Sequence, residues 1–178
     1  MRDGFIRTAA ATPKIKVADP VHNRETICRI IEEYEKKGAE LLVFPELCLS
    51  GYTCNDLFQQ EILLEQVKEE LKNLVDFTKG RKMLLFAGLP WEHEGKLYNV
   101  AAAICDGELL GLVTKTNMPN YSEFYELRHF TPGMEIPVLT DWLDTQVPMG
   151  TNLLFTCKEN PKLTVAAEIC EDVWSPIP

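Results

Sequence analysis

Two stretches of this chain place apolar residues every three to four positions, and short runs that are apolar throughout follow them. Few folds accommodate both patterns. Ile27, Ile30, Ile31 and Tyr34 fall at i, i+3, i+4 and i+7, which predicts one apolar stripe on a helix. Asn23 stands where an N-cap would open that helix, and Lys36, Lys37 and Gly38 supply its C-terminal charge and its stop. Leu41 to Phe44 reads as a short strand that is apolar on both faces, as in a sheet covered on both sides. Asp56 with Gln59 resembles a capping box opening a second helix to about Thr78, with Leu63, Val67, Leu71, Leu74 and Val75 inward and Gly80 ending it. Gly4 to Ala11, Lys82 to Gly88 and Leu163 to Ile169 are further predicted strands. Tyr98 to Ile104 and Leu109 to Thr114 flank Asp106-Gly107, a hairpin signal. Residues 116 to 160, with Pro119, Pro132, Pro137 and Pro148, read as loop-rich. This order predicts an α/β fold with a mixed sheet and helices on its faces.

Composition excludes several functions. A chain of 178 residues suits one domain with a sizeable core. Its net charge of −9, with no Lys/Arg run longer than a pair, disfavours nucleic acid as a partner. No apolar run approaches the roughly 18 residues that cross a bilayer. The N-terminus Met1-Arg2-Asp3-Gly4 lacks a signal peptide's apolar core, so a cytoplasmic location is expected. The six cysteines include no Cys-x-x-Cys pair, and His22, His93 and His129 cluster with none of them, so no metal site is expected. Five of the thiols read as small buried hydrophobes, the three histidines as surface or packing residues, and Trp91 and Trp142 as core or rim.

Three segments set a reactive residue at the end of an apolar strand: Phe44-Pro45-Glu46, Val113-Thr114-Lys115 and Ala167-Glu168-Ile169-Cys170. Ligands of α/β sheets bind beyond the carboxyl ends of the strands. If the three strands are parallel neighbours, a carboxylate, an ammonium and a thiol meet at one edge. Singly, a strand-end Glu or Lys is usually solvated or paired, and a lone Cys is usually packed. Together they are the groups acyl transfer needs: a nucleophile, a proton carrier and a positive group for the oxyanion.

At these residues the sequence resembles the nitrilase/amidase (carbon–nitrogen hydrolase) superfamily. Phe44-Pro45-Glu46-Leu47-Cys48-Leu49-Ser50-Gly51-Tyr52 is similar to its glutamate motif, and Lys115-Thr116-Asn117-Met118-Pro119-Asn120-Tyr121 to its lysine motif. Glu168-Ile169-Cys170-Glu171-Asp172-Val173-Trp174 is similar to its cysteine motif. Ser50-Gly51-Tyr52, the run from Tyr121 to Glu126, and Cys170 to Trp174 look most like the N-terminal glutaminase domain of glutamine-dependent NAD synthetases. The resemblance implies that Cys170 attacks the side-chain amide of L-glutamine, Glu46 shuttles the protons, and Lys115 with the backbone N–H after Cys170 holds the oxyanion. Glu126 would be the second carboxylate, with Glu123 the competitor for that role. Tyr121, Phe124 and Glu171 would line the glutamine pocket.

The resemblance also implies an αββα sandwich that continues past the cysteine, whereas the chain stops at Pro178. A C-terminally incomplete glutaminase domain is therefore expected, with its synthetase domain, and the ATP and magnesium that domain uses, outside this chain. No Ser-Gly-Gly or Walker-type phosphate loop occurs here, and no cofactor is expected in the chain itself. Open apolar surface would favour a homo-oligomer. A stand-alone amidase or carbamoylase, and a catalytically poor fragment that only self-associates, are the alternatives.

Overall fold

The computed structural model of the protein describes residues 5–176. Strand β1 spans Thr8–Ala10; Gly4, at the start of the predicted first strand, lies outside the described residues. Helix α1 runs Pro20–Lys36 with its proline in the first turn, and Asp19 Oδ1 caps it by accepting from His22 N at 3.0 Å. Asn23 is therefore not the cap. Its buried side chain accepts from Lys16 N at 2.7 Å and donates to Lys16 O at 2.8 Å and Leu49 O at 3.0 Å, tying the loop before α1 to the segment after Glu46.

Strand β2 spans Leu41–Val43. A 3-10 segment, Tyr52–Gln59, precedes helix α2, Glu61–Phe77, whose N-cap is Gln60. The capping box is not formed, because Asp56 turns outward and accepts from Arg128 Nε at 2.9 Å. The predicted apolar stripes are buried: Ile27 and Ile31 on α1, and Leu63, Val67, Leu71, Leu74 and Val75 on α2. They pack with Leu42, Leu85, Leu89, Val100 and Ile104 of the sheet in one core.

Strand β3 spans Leu84–His93, β4 Lys96–Cys105 and β5 Glu108–Thr114. Two hairpins join them, with positive φ at Glu94 and Gly95 and again at Asp106 and Gly107, the pairs a two-residue turn of matching twist requires. The predicted hairpin is thus present, and the strand predicted to end at Gly88 continues to His93 as half of another. The loop-rich region also contains a hairpin, β6 (Val138–Trp142) and β7 (Thr145–Gly150). A small ribbon, β8 (Phe155–Thr156) with β9 (Thr164–Val165), replaces the longer strand predicted to reach Ile169.

The main sheet has seven strands in the order β1-β2-β3-β4-β5-β7-β6. β1, β2 and β3 are parallel, β4 is antiparallel to both β3 and β5, and β5 is parallel to β7. Strands β2 and β5 therefore point the same way, but two strands separate them and β9 lies outside the sheet. The three reactive segments are not parallel neighbours. The two faces of β2 also differ. Leu42 is buried, while Val43 borders a cavity of about 290 Å³ between the sheet and the segment Val165 to Cys170. Phe155 covers part of the same face by stacking edge-on against Phe86.

Candidate active site

The chain brings Glu46 to Lys115 by bending across β3. After β2 it turns at Pro45-Glu46-Leu47 directly over Gly88, so closely that a Cβ there would sit 2.3 Å from Leu47 N and 2.6 Å from Pro45 O. Gly88 is thus the only residue type the crossing allows. Leu49 N donates to Gly88 O at 3.1 Å and fixes the turn, and Leu47 at φ +51° carries its backbone strain. On the far side, β4 meets the turn: Asn99 Nδ2 donates to Glu46 Oε1 at 2.6 Å.

Lys115 follows β5 directly and is fully buried. Its N–H donates to Asn99 O at 2.9 Å and its carbonyl accepts from Gly133 N at 2.7 Å, so the backbone is held on both sides. Its ammonium donates to Glu46 Oε1 at 2.6 Å and to both Glu126 oxygens, at 2.8 and 2.7 Å. Glu126, in the short 3-10 turn Glu126–Arg128, also accepts from the Tyr52 hydroxyl at 2.6 Å. Of the two carboxylates weighed for Lys115, Glu126 holds it and Glu123 is exposed.

Burial draws the Lys115 pKa down, but the charge of Glu46 and the hydrogen bonds of both carboxylates outweigh it and hold the pKa above its ordinary value. Burial pushes the Glu126 carboxyl up, against the pull of Lys115 and Tyr52. Burial, and then the bond to Glu126, drive the Tyr52 phenol far up, so it remains a donor.

Cys170 begins the 3-10 turn Cys170–Trp174 in the left-handed region at φ +51° and exposes its thiol. Burial and the Glu46 carboxylate push the thiol's pKa up, and Lys115 only partly opposes them. The arrangement therefore keeps a protonated thiol beside a carboxylate. A thiolate stabilised by Lys115 does not form at rest, because two carboxylates surround that single ammonium. The nucleophile segment is tied to the lysine segment by Asp172. This buried carboxylate accepts from Thr116 N at 3.1 Å, Asn117 N at 2.7 Å and Asn117 Nδ2 at 2.9 Å.

Beside this centre, the Tyr121 hydroxyl donates to Glu171 at 3.1 Å, and Phe124 packs edge-on between the Tyr52 and Tyr121 rings. The three expected pocket residues are therefore adjacent, with Tyr121 exposed and Phe124 and Glu171 half-buried. Cys28, Cys48 and Cys54 are buried as expected, but Cys105 and Cys157 only partly so, since they lie near the exposed ribbon end of the sheet. Trp91 and Trp142 are buried against one another, and His129 packs between Phe58 and Phe130. Tyr52, Asn99 and Asp172 were not singled out by sequence, although Asn99 was visible as a polar residue inside an apolar strand.

A profile of the family described as carbon-nitrogen hydrolase matches residues 7–177. Glutamine-dependent NAD(+) synthetase of Mycobacterium tuberculosis is 37% identical over 175 residues, 98% of this chain and 26% of the relative. The protein of the same name from Aquifex aeolicus is 34% identical over 160 residues, 90% of this chain and 24% of the relative. The chain thus spans about a quarter of the length of these relatives. The crystal structure of the Cytophaga hutchinsonii glutamine-dependent NAD(+) synthetase superposes with TM-score 0.86 at 28% identity, over 93% of this chain and 28% of that one. An amidase from Nesterenkonia superposes with TM-score 0.64 at 24% identity over 83% of this chain and 56% of that one, a likeness of fold alone.

Proposed function

The chain belongs to the carbon–nitrogen hydrolase family, and from that we propose that it cleaves the side-chain amide of L-glutamine through a thioester on Cys170. The ammonia released would serve ATP-dependent NAD synthesis by another region of a longer parent protein in the cytoplasm, where ATP and Mg²⁺ would act. The observation that carries the reading is the buried Lys115 ammonium bonded to both Glu46 and Glu126, with the Cys170 thiol facing Glu46. The names of the relatives support glutamine as substrate.

In this mechanism Glu46 takes the thiol proton as sulfur bonds to the amide carbon, and the carbonyl π pair moves to oxygen. Lys115 and the backbone N–H of Glu171 face that oxyanion; such donors work because they are aligned before charge develops. Glu46 returns the proton to nitrogen as the C–N bond breaks and ammonia leaves. Water, deprotonated by Glu46, then attacks the thioester, releasing glutamate and the Cys170 thiol. Glu126 holds the lysine throughout, with Tyr52 behind it. The pocket of Tyr121, Phe124 and Glu171 would receive the amino-acid end, Glu171 opposite the α-ammonium.

The test is nitrogen-source dependence in the intact parent. Cys170→Ala should abolish synthesis from glutamine and spare synthesis from free ammonia. Equal loss from both sources would make Cys170 structural, and turnover of other carboxamides but not glutamine would make the chain a general amidase. The reading includes self-association through exposed apolar residues such as Leu154, Val173 and Trp174, to be tested by light scattering; a monomer at all concentrations would remove that part.

A further inference from the structure

Glu46 has two oxygens, and the structure treats them differently. Oε1 accepts from Asn99 Nδ2 and from Lys115 Nζ, both at 2.6 Å, while Oε2 accepts from no nitrogen or hydroxyl among the described residues. Asn99 is fully buried on β4, between the strands that lead to Glu46 and Lys115, and its own carbonyl accepts from Lys115 N at 2.9 Å. One residue thereby sets the position of both partners.

The same amide is a poor choice for stability. Its Oδ1 is buried without a partner, and a buried acceptor left unmade is unfavourable, whereas an apolar side chain there would leave none. The amide cannot be reversed to relieve this, since Oδ1 would then face the Glu46 carboxylate. Such local violations gather where function requires them.

We infer that Asn99 is a positioning residue that, sharing Glu46 Oε1 with Lys115, leaves Oε2 as the oxygen that takes the Cys170 proton. The S–H bond breaks as the Oε2–H bond forms, and the electron pair stays on sulfur for attack. Without Asn99, Lys115 alone still binds the carboxylate, but the group can rotate about that one contact and present Oε2 elsewhere. The charged and titratable groups around it are Lys115, Glu126, Tyr52 and Cys170, and all remain in an Asn99 variant. The inference rests on the Cys170 hydrolase reading and not on which carboxamide is cleaved.

The experiment compares Asn99→Ala and Asn99→Leu with the wild type in the intact parent protein. It reads kcat and KM for glutamine together with the melting temperature; Leu fills the space that Ala leaves. A wild type inert on glutamine would refute the substrate reading only, and the comparison would then run on simple aliphatic amides whose turnover requires Cys170. In at least one variant kcat should fall on the order of 10- to 100-fold, as expected for losing a hydrogen bond to a charged group, with KM and melting temperature little changed. Wild-type kcat in both variants would overturn the inference. A loss of kcat that always comes with raised KM and lowered melting temperature would overturn it too, because Asn99 would then be structural.

Discussion

Cys170 combines exposure with a proton held more tightly than in a free thiol. Its exposure predicts predominant labelling by a limiting electrophile, mapped by peptide mass. Cys48 and Cys28 are buried, with pKa values pushed up to about 12 and about 11. Because burial and Glu46 raise the Cys170 pKa, thiolate forms only as pH climbs through that raised value. The labelling rate should therefore still be increasing where an ordinary thiol has levelled; a plateau below the ordinary thiol range would contradict this sign. Glu126 is the second informative residue. Removing one partner of a buried ion pair leaves an unpaired charge, so Glu126→Ala should cost about 3–5 kcal/mol in denaturant unfolding as well as most of the activity. Full stability in that variant would mean water reaches Lys115 freely.

The elements carry these residues by way of one close crossing and one staple. A methyl group at Gly88 must push the Glu46 turn away, since the atoms it meets are backbone. Gly88→Ala should therefore lose about 1–3 kcal/mol by overpacking, and activity on the order of 100-fold through displacement of Glu46. Wild-type kinetics in that variant would mean that the turn adapts. Asn23→Ala deletes three hydrogen bonds to Lys16 and Leu49, two of them buried inside the α1 side of the core. It should lower stability by about 1–3 kcal/mol in the same assay. The helices were legible because a stripe such as Leu63, Val67, Leu71 and Leu74 admits one period. The β6–β7 hairpin was not, because its turn has Leu143 at φ +52° and none of the Gly or Asn that normally mark such a turn.

At the scale of the molecule, the long strands β3, β4 and β5 form the rigid centre, while the nucleophile segment leans on it through few bonds. Amide exchange should be slowest in β3 to β5 and faster in 153–169, where the ribbon strands are two residues each. Asp172→Ala should speed exchange at Thr116, Asn117 and 163–176 together, because one carboxylate joins those segments. Acceleration confined to the nucleophile segment would show that the lysine loop is held without it. Among the described residues no helix is long and apolar enough to cross a membrane, and none of the His, Cys, Asp and Glu groups could hold a metal ion.

Apolar period, turn chemistry and three reactive residues at strand ends are local properties, and the sequence by itself determined them: the α/β class, both helices, the Asp106-Gly107 hairpin, and Glu46, Lys115 and Cys170 as one candidate set. Which strands separate those residues is not local. Strand order and direction put β3 and β4 between Glu46 and Lys115, and only then do Gly88 and Asn99 acquire their positions beneath and beside the carboxylate. The choice of Glu126 over Glu123 came the same way. Only one of two carboxylates three residues apart in the loop reaches a buried ammonium, and the packing of Tyr52 against that loop decided which.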